Sequence, residues 1–135
     1  MRLDTRRISR IMFLLYIAAV GVLCLMKTDS LPKIPAVWLG IPADKIAHFC
    51  MFMPFPALAY MSIMPRMKNL WTTFLTIAVL AAMGAAFAYG TEIMQGQTGY
   101  RSYDINDFYA DIAGLAAGAV LTAAFVIIKS RRRRK

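Results

Sequence analysis

Charge is scarce in this chain, and acid is scarcer still. Only 17% of its 135 residues are Asp, Glu, Lys or Arg, with seven acids against sixteen bases. A soluble domain carries about 25% charged residues, so a well-solvated globular surface is excluded. Histidine occurs once, at His48, and cysteine twice, at Cys24 and Cys50. That supply excludes a disulfide scaffold and the zinc motifs built on paired histidines or Cys-x-x-Cys. No Gly-x-Ser-x-Gly elbow occurs, so no hydrolase nucleophile announces itself. Cys24 and Cys50 lie in apolar runs near the same end of their helices and read as small hydrophobes, although a bridge between them is geometrically conceivable.

What is abundant is apolar residue, 59% of the chain. A helix crosses the hydrocarbon core of a bilayer with roughly 20 mostly apolar residues. Four segments come close to that: 11–26, 46–64, 70–89 and 108–128, the last with its continuous apolar run from Ile112. The fold class expected is therefore all-α, a single-domain four-helix transmembrane bundle. "MRLDTRRISR" before the first run raises a cleaved or twin-arginine signal as a rival. No small-x-small site precedes Lys27, and Leu23 spoils a lipoprotein reading of Cys24, so an uncleaved first helix is expected.

Basic residues mark the cytoplasmic side of membrane proteins. Twelve of the sixteen fall on one side: four before the first span, Arg66 and Lys68 after the second, and six in the "KSRRRRK" tail. All the acids except Asp4 fall on the other. Both termini are expected in the cytoplasm. The net charge of +9 then reads as topology anchoring on anionic lipid, and nucleic acid is not an expected partner.

The polar residues within this frame collect at three helix ends on the outer side. Asp44, Lys45 and His48 open the second span, with Asp44 and His48 four apart on one face. Glu92 and Gln95 close the third. Asp104, Asp107 and Asp111 run i, i+3, i+7 into the fourth, and Gly114 and Gly118 continue their line, so the acids face the bundle. Ala81, Gly84, Ala85 and Ala88 give the third span a small-residue face, which makes spans three and four the expected closest pair. Asp44, Asp104 and Asp107 are expected in the headgroup layer, with Glu92 and Asp111 abutting the apolar runs and no ionisable group at the midplane.

Each feature has a plain structural explanation. Asp104 suits an N-cap, Asp107 suits the first turn, Lys45 with Asp44 suits a surface ion pair, and Pro54 and Pro56 suit a kink. Glu92 and Asp111 on packing faces are not covered by these, because burying such groups costs several kcal/mol unless they are paired. Five carboxylates face Lys45, Arg101 and a neutral His48, for a formal charge of −3. Three solutions are open: a divalent cation bridges some acids to a ligand, the ligand is itself cationic, or crowding keeps acids protonated. Arg101 could still grip one phosphate or carboxylate with its fork.

"DKIAHF" at the head of the second span, Glu92-x-x-Gln95 at the end of the third, and "RSYDIND" running into Gly-x-x-x-Gly at the fourth resemble the VanZ-like family of bacterial membrane proteins. The resemblance covers the chain from the first helix to Gly118. It implies a small four-helix protein of the bacterial cytoplasmic membrane, in a family named for a factor linked to low-level teicoplanin resistance. Its polar motif falls here on Asp44, Lys45, His48, Glu92, Gln95, Arg101, Asp104 and Asp107. One departure stands out: family members commonly show Asp-x-x-x-Asn where this chain has Asp107 and Asp111.

The leading expectation is a binding protein rather than an enzyme. Its outward polar pocket would hold the headgroup of a lipid or lipid-linked envelope precursor. Arg101 and Lys45 would contact phosphate, Glu92, Asp107 and Asp111 would take a cation or sugar hydroxyls, and His48 would share a proton with Asp44. A membrane-embedded hydrolase or transferase is the second reading, since paired carboxylates with a histidine can serve acid–base chemistry. A structural partner that scaffolds an envelope complex through Trp38, the aromatics of the outer loop and the glycine face is the third, and a homo-oligomer is also open.

Overall fold

The computed structural model describes residues 4–26, 37–38, 40–63, 69–99 and 103–132. Helix α1 (Thr5–Leu25) starts where Asp4, in extended conformation, turns its side chain back to accept from the Arg6 N–H at 3.3 Å. This N-cap lets the helix begin six residues before the apolar run, with its arginines on the first turns. At the other end of the loop, strands β1 (Val37–Trp38) and β2 (Ile41–Pro42) pair antiparallel. Gly40, at φ 80°, turns the chain between them. This minimal hairpin, not foreseen in a loop rich in Pro and hydrophobics, delivers the chain into α2 (Ala43–Phe52).

The second span is two helices rather than one kinked one. Pro54 and Pro56 each lack the N–H that would continue the ladder, so α2 stops and α3 (Phe55–Ile63) starts anew. The hydroxyl of Tyr16 on α1 donates to the carbonyl of Met51, in the last turn before the break. Helix α4 (Leu70–Gln97) is capped by Asn69, whose side chain accepts from the Thr72 N–H at 2.8 Å. It continues through Gly90, eight residues past its expected end at 89, because a helical Gly costs only about 1 kcal/mol and the following turns pack. Helix α5 (Ile105–Arg132) starts after Asp104, which accepts from the Asn106 N–H at 2.9 Å.

Four segments, with α2 and α3 counted as one, are long and apolar enough to cross a membrane. Large side chains such as Leu14, Leu75, Met83, Leu121 and Phe125 stand exposed on their outer faces, as lipid contact requires and water does not tolerate at this extent. Inside, Val20, Cys24, Phe52, Phe55, Ala59, Leu80, Ala88 and Leu115 form one core drawn from all five helices. Phe13 meets Phe55 edge-on at 5.4 Å, and Phe52 and Phe55 both pack on Phe87. Cys50 is exposed, and no disulfide joins it to Cys24.

The glycines correct one expectation. Gly114 and Gly118 do not seat α4. A Cβ on Gly114 would strike the Phe49 carbonyl, and one on Gly118 the Met53 carbonyl, so these glycines let α5 press against the backbone of span two at its break. That makes spans two and four the closest pair, not three and four. The small face of α4 does meet the fourth span, as expected, but through a side chain: a Cβ on Gly84 would strike Leu115 of α5 as well as Phe55 of α3. Backbone-to-backbone approach of this kind suits a bilayer, where apolar area gives no association drive and van der Waals contact must do the work.

Candidate functional site

Three helix segments bring the polar residues to one end of the bundle. Arg10 at the other end donates to the Ser62 carbonyl at 3.4 Å and ties the start of α1 to the end of α3. The first turns of α2 supply Asp44, Lys45 and His48, the last turns of α4 supply Glu92 and Gln95, and the start of α5 supplies Asp104, Asp107 and Asp111. The i, i+3, i+7 spacing on α5 does place Asp107 and Asp111 inward, both buried, while Asp104 sits at the rim. Arg101, the remaining residue expected here, lies outside the described residues.

Lys45 is the hub of the rim. Its ammonium lies 3.1 Å from Asp44 Oδ2 and 2.5 Å from Asp104 Oδ2, and it also donates to Asp107 Oδ1. The expectation of a surface pair with Asp44 is thus too small. Three carboxylates saturate the three N–H donors, which leaves none spare for a phosphate. The ammonium also holds the Asp104 carboxyl below the usual carboxylate range, with the Asn106 N–H adding to the effect.

One turn deeper, His48 is 2% exposed. Its Nδ1 lies 2.9 Å from Asp111 Oδ1, and its Nε2 lies 3.7 Å from Asp107 Oδ2. The expected pairing with Asp44 is therefore replaced. Asp44 stands on the exposed first turn and takes the neighbouring Lys45, while the imidazole points into α5. Sequence spacing put Asp44 and His48 on one face of a helix but could not say which acid of another helix waits opposite.

Glu92 and Gln95 are wholly buried in the last turns of α4, which they close as expected. Glu92 Oε2 accepts from the Asp104 N–H at 3.3 Å, which helps to satisfy the start of α5. Gln95 Nε2 donates to the Cys24 carbonyl at 2.9 Å, one of the last carbonyls of α1. Three acceptor atoms are left with no hydrogen-bond partner among the described residues: Glu92 Oε1, Gln95 Oε1 and Asp111 Oδ2. Buried polar atoms are normally paired, and each exception calls for an explanation.

Tyr16 was not foreseen, since the apolar run of α1 from Ile11 carries no acid or base and the hydroxyl gave no signal beyond being a polar tip in that run. Nor was Asn106, whose side-chain amide donates to Asp104 Oδ1 at 2.9 Å. The "DIND" string contains that asparagine, but its role depends on the cap geometry at the start of α5.

Fold and site together define a multi-pass helical membrane protein of four spans with a buried carboxylate–imidazole cluster at one end of its bundle. The family model of VanZ/LLP1 matches residues 6–128, and the chain belongs to that VanZ-like family. No curated protein and no solved structure matches it.

Proposed function

We propose that this VanZ-like protein lies in the bacterial cytoplasmic membrane with both termini inside, and that its polar end faces outward and holds the headgroup of a lipid or lipid-linked envelope precursor. In this way it alters the envelope and the susceptibility of the cell to glycopeptides such as teicoplanin. The observation that supports this reading is the set of buried acceptors with no donor among the described residues, Glu92 Oε1 and Gln95 Oε1 on α4 and Asp111 Oδ2 on α5. Sugar and glycerol hydroxyls, or a cation carried with a phosphate, are the partners such atoms lack. Lys45, already held by three carboxylates, is not the phosphate contact. That role falls to Arg101 and to a bridging cation.

The test is mass spectrometry of lipids copurifying with wild type, Glu92→Gln and Asp107→Asn, extracted gently from native membrane. A polyprenyl-phosphate or glycolipid enriched on the wild type and lost from both variants is expected. Identical bulk phospholipid on three equally folded preparations contradicts the reading. A second reading, a membrane-embedded hydrolase or transferase, draws on one observation: Asp111 orients His48 so that Nε2 faces the cluster, the arrangement of an oriented general base. It predicts that the copurified lipid is turned over by wild type and not by His48→Gln.

A further inference from the structure

Two trios of ligand-type side chains occur at the polar end. Asp44, Asp104 and Asp107 form one, and His48, Glu92 and Asp107 the other. The first is already closed by the Lys45 ammonium, which contacts all three carboxylates. The second is buried throughout, and no lysine or arginine among the described residues forms an ion pair with His48 or Glu92.

The geometry of the second trio is that of a site, not merely of crowded acids. His48, Glu92 and Asp107 each bring one donor atom within 4.8 Å of the other two. Three points so spaced all lie within roughly 2.8 Å of a common centre, so small rotamer shifts bring them to the 2.0–2.2 Å of metal–nitrogen and metal–oxygen bonds. An independent observation points the same way: Glu92 is wholly buried, and its Oε1 has no hydrogen-bond partner among the described residues. Asp107 divides its two oxygens, with Oδ1 on Lys45 and Oδ2 facing His48 Nε2 at 3.7 Å. That separation is too long for a hydrogen bond and close to the distance between neighbouring ligands on one ion.

Asp111 completes the pattern. Its Oδ1, 2.9 Å from His48 Nδ1, assigns the ring proton to Nδ1 and leaves the Nε2 lone pair on the side of Asp107 Oδ2. A carboxylate behind a ligating histidine is the usual outer support of a metal site, where it fixes the tautomer and raises ligand basicity. Charge argues likewise. The five carboxylates of the described cluster against Lys45 and a neutral His48 carry −4, which a divalent ion would halve in a medium that penalises uncompensated charge.

We infer that His48 Nε2, Glu92 and Asp107 Oδ2 bind one divalent first-row metal ion, of the Zn²⁺ or Mn²⁺ kind, with Asp111 as the positioning residue behind the histidine. An imidazole with two carboxylates suits these ions better than Mg²⁺ or Ca²⁺, which prefer all-oxygen shells. The site deepens the proposed pocket and rests on it as the working end of the molecule. The ion would supply the positive charge that a phosphate or hydroxyl of the bound headgroup meets there.

The experiment uses the full chain, purified in detergent, stripped with chelator and titrated without added lipid with Zn²⁺ alone and with Mn²⁺ alone. Bound metal is measured by elemental analysis after dialysis, and the visible spectrum of a Co²⁺-loaded sample reports the ligand set. About one ion per chain is expected, lost from His48→Gln and from Glu92→Gln. Asp111→Asn should keep the stoichiometry with about 10–100-fold weaker affinity. Asp104→Asn, at the rim, should bind as wild type does, which separates the two trios. Circular dichroism of each variant establishes that it is folded. Wild type that takes up no stoichiometric ion overturns the inference, as do folded His48→Gln and Glu92→Gln variants that bind as tightly as wild type. Because lipid is read separately, a chain that binds metal and no envelope lipid sinks the pocket reading alone, and one that holds the lipid while refusing metal sinks only the metal site.

Discussion

The two halves of span two follow opposite rules. From Phe52 through α3, the side chains that turn inward are Phe52, Phe55, Pro56, Ala59 and Ser62, and the Phe55 ring meets those of Phe13, Tyr16 and Phe87. Seven residues earlier, α2 turns inward Lys45 and His48, and the groups they meet are acids. In the apolar half no buried side-chain nitrogen or oxygen of the described residues is left without a partner, Ser62 donating to the Ala59 carbonyl. Around the polar half, acceptor atoms of α4 and α5 are buried with no donor among the described residues, which costs stability at each such atom. A protein that keeps so costly an arrangement beside so well filled a core has separated the part that holds it together from the part that acts. The break at Pro54 is the border. There α5 passes both halves on its glycines and holds them in register.

This contrast is open to attack by substitution. The largest effect is expected from Gly118→Val. Its side chain would collide with the Met53 carbonyl, a backbone atom that cannot swing away, so overpacking should reach or exceed the usual 1–3 kcal/mol. Thermal unfolding in detergent should show it, together with a fall in membrane abundance. An unchanged melting profile would mean that α5 does not lean on span two as described.

Phe55→Ala comes next. It removes a ring shared by Phe13, Tyr16 and Phe87, and a loss of about 2 kcal/mol is expected. That is less than the 3–5 kcal/mol of soluble cores, because the emptied space loses packing but the unfolded state in lipid exposes no ring to water. Unfolding in mixed micelles measures it. The metal stoichiometry of the surviving folded fraction should be untouched.

The polar half should respond in the reverse sense. Asp111→Asn removes a buried charge but keeps a carbonyl for the His48 ring, so stability should hold or rise by about 1 kcal/mol. Loss of several kcal/mol would show the cluster to be structural. The smallest effect belongs to the rim. The folded Asp104 carboxyl lies below its unfolded value, so its contribution is fully present above pH ~4 and fades as pH falls through the lowered folded value. At a site this exposed the contribution should stay under about 1 kcal/mol. Comparing wild type with Asp104→Asn by unfolding between neutral and strongly acid pH should show the gap narrowing as acid is added.

Much of this was legible in the sequence, for reasons the residues make plain. Four spans could be counted because apolar runs of membrane length have few other uses. The inward turn of Asp107 and Asp111 followed from helical spacing. Boundaries fell short because a run of apolar residues ends at its first polar one, whereas α4 carries Glu92 and Gln95 within its last turns, where packing rather than hydropathy holds the helix. Gly114 and Gly118 announced a close approach without naming what approached, and the neighbour proved to be the Phe49–Met53 backbone. His48 shows the same limit. Its face could be read from one helix, but its partner belongs to another. The hairpin at 37–42 went unread because two-residue strands leave no periodicity to detect.

Glu92→Gln offers the most direct test, with stability and bound lipid read on the same preparation. Gln keeps the shape and the acceptor for the Asp104 N–H, and removes the charge. A chain as stable as wild type, or more so, that has lost its envelope lipid is the predicted result. A chain several kcal/mol less stable that still carries the same lipid would contradict the central claim, and would make the polar end part of the scaffold.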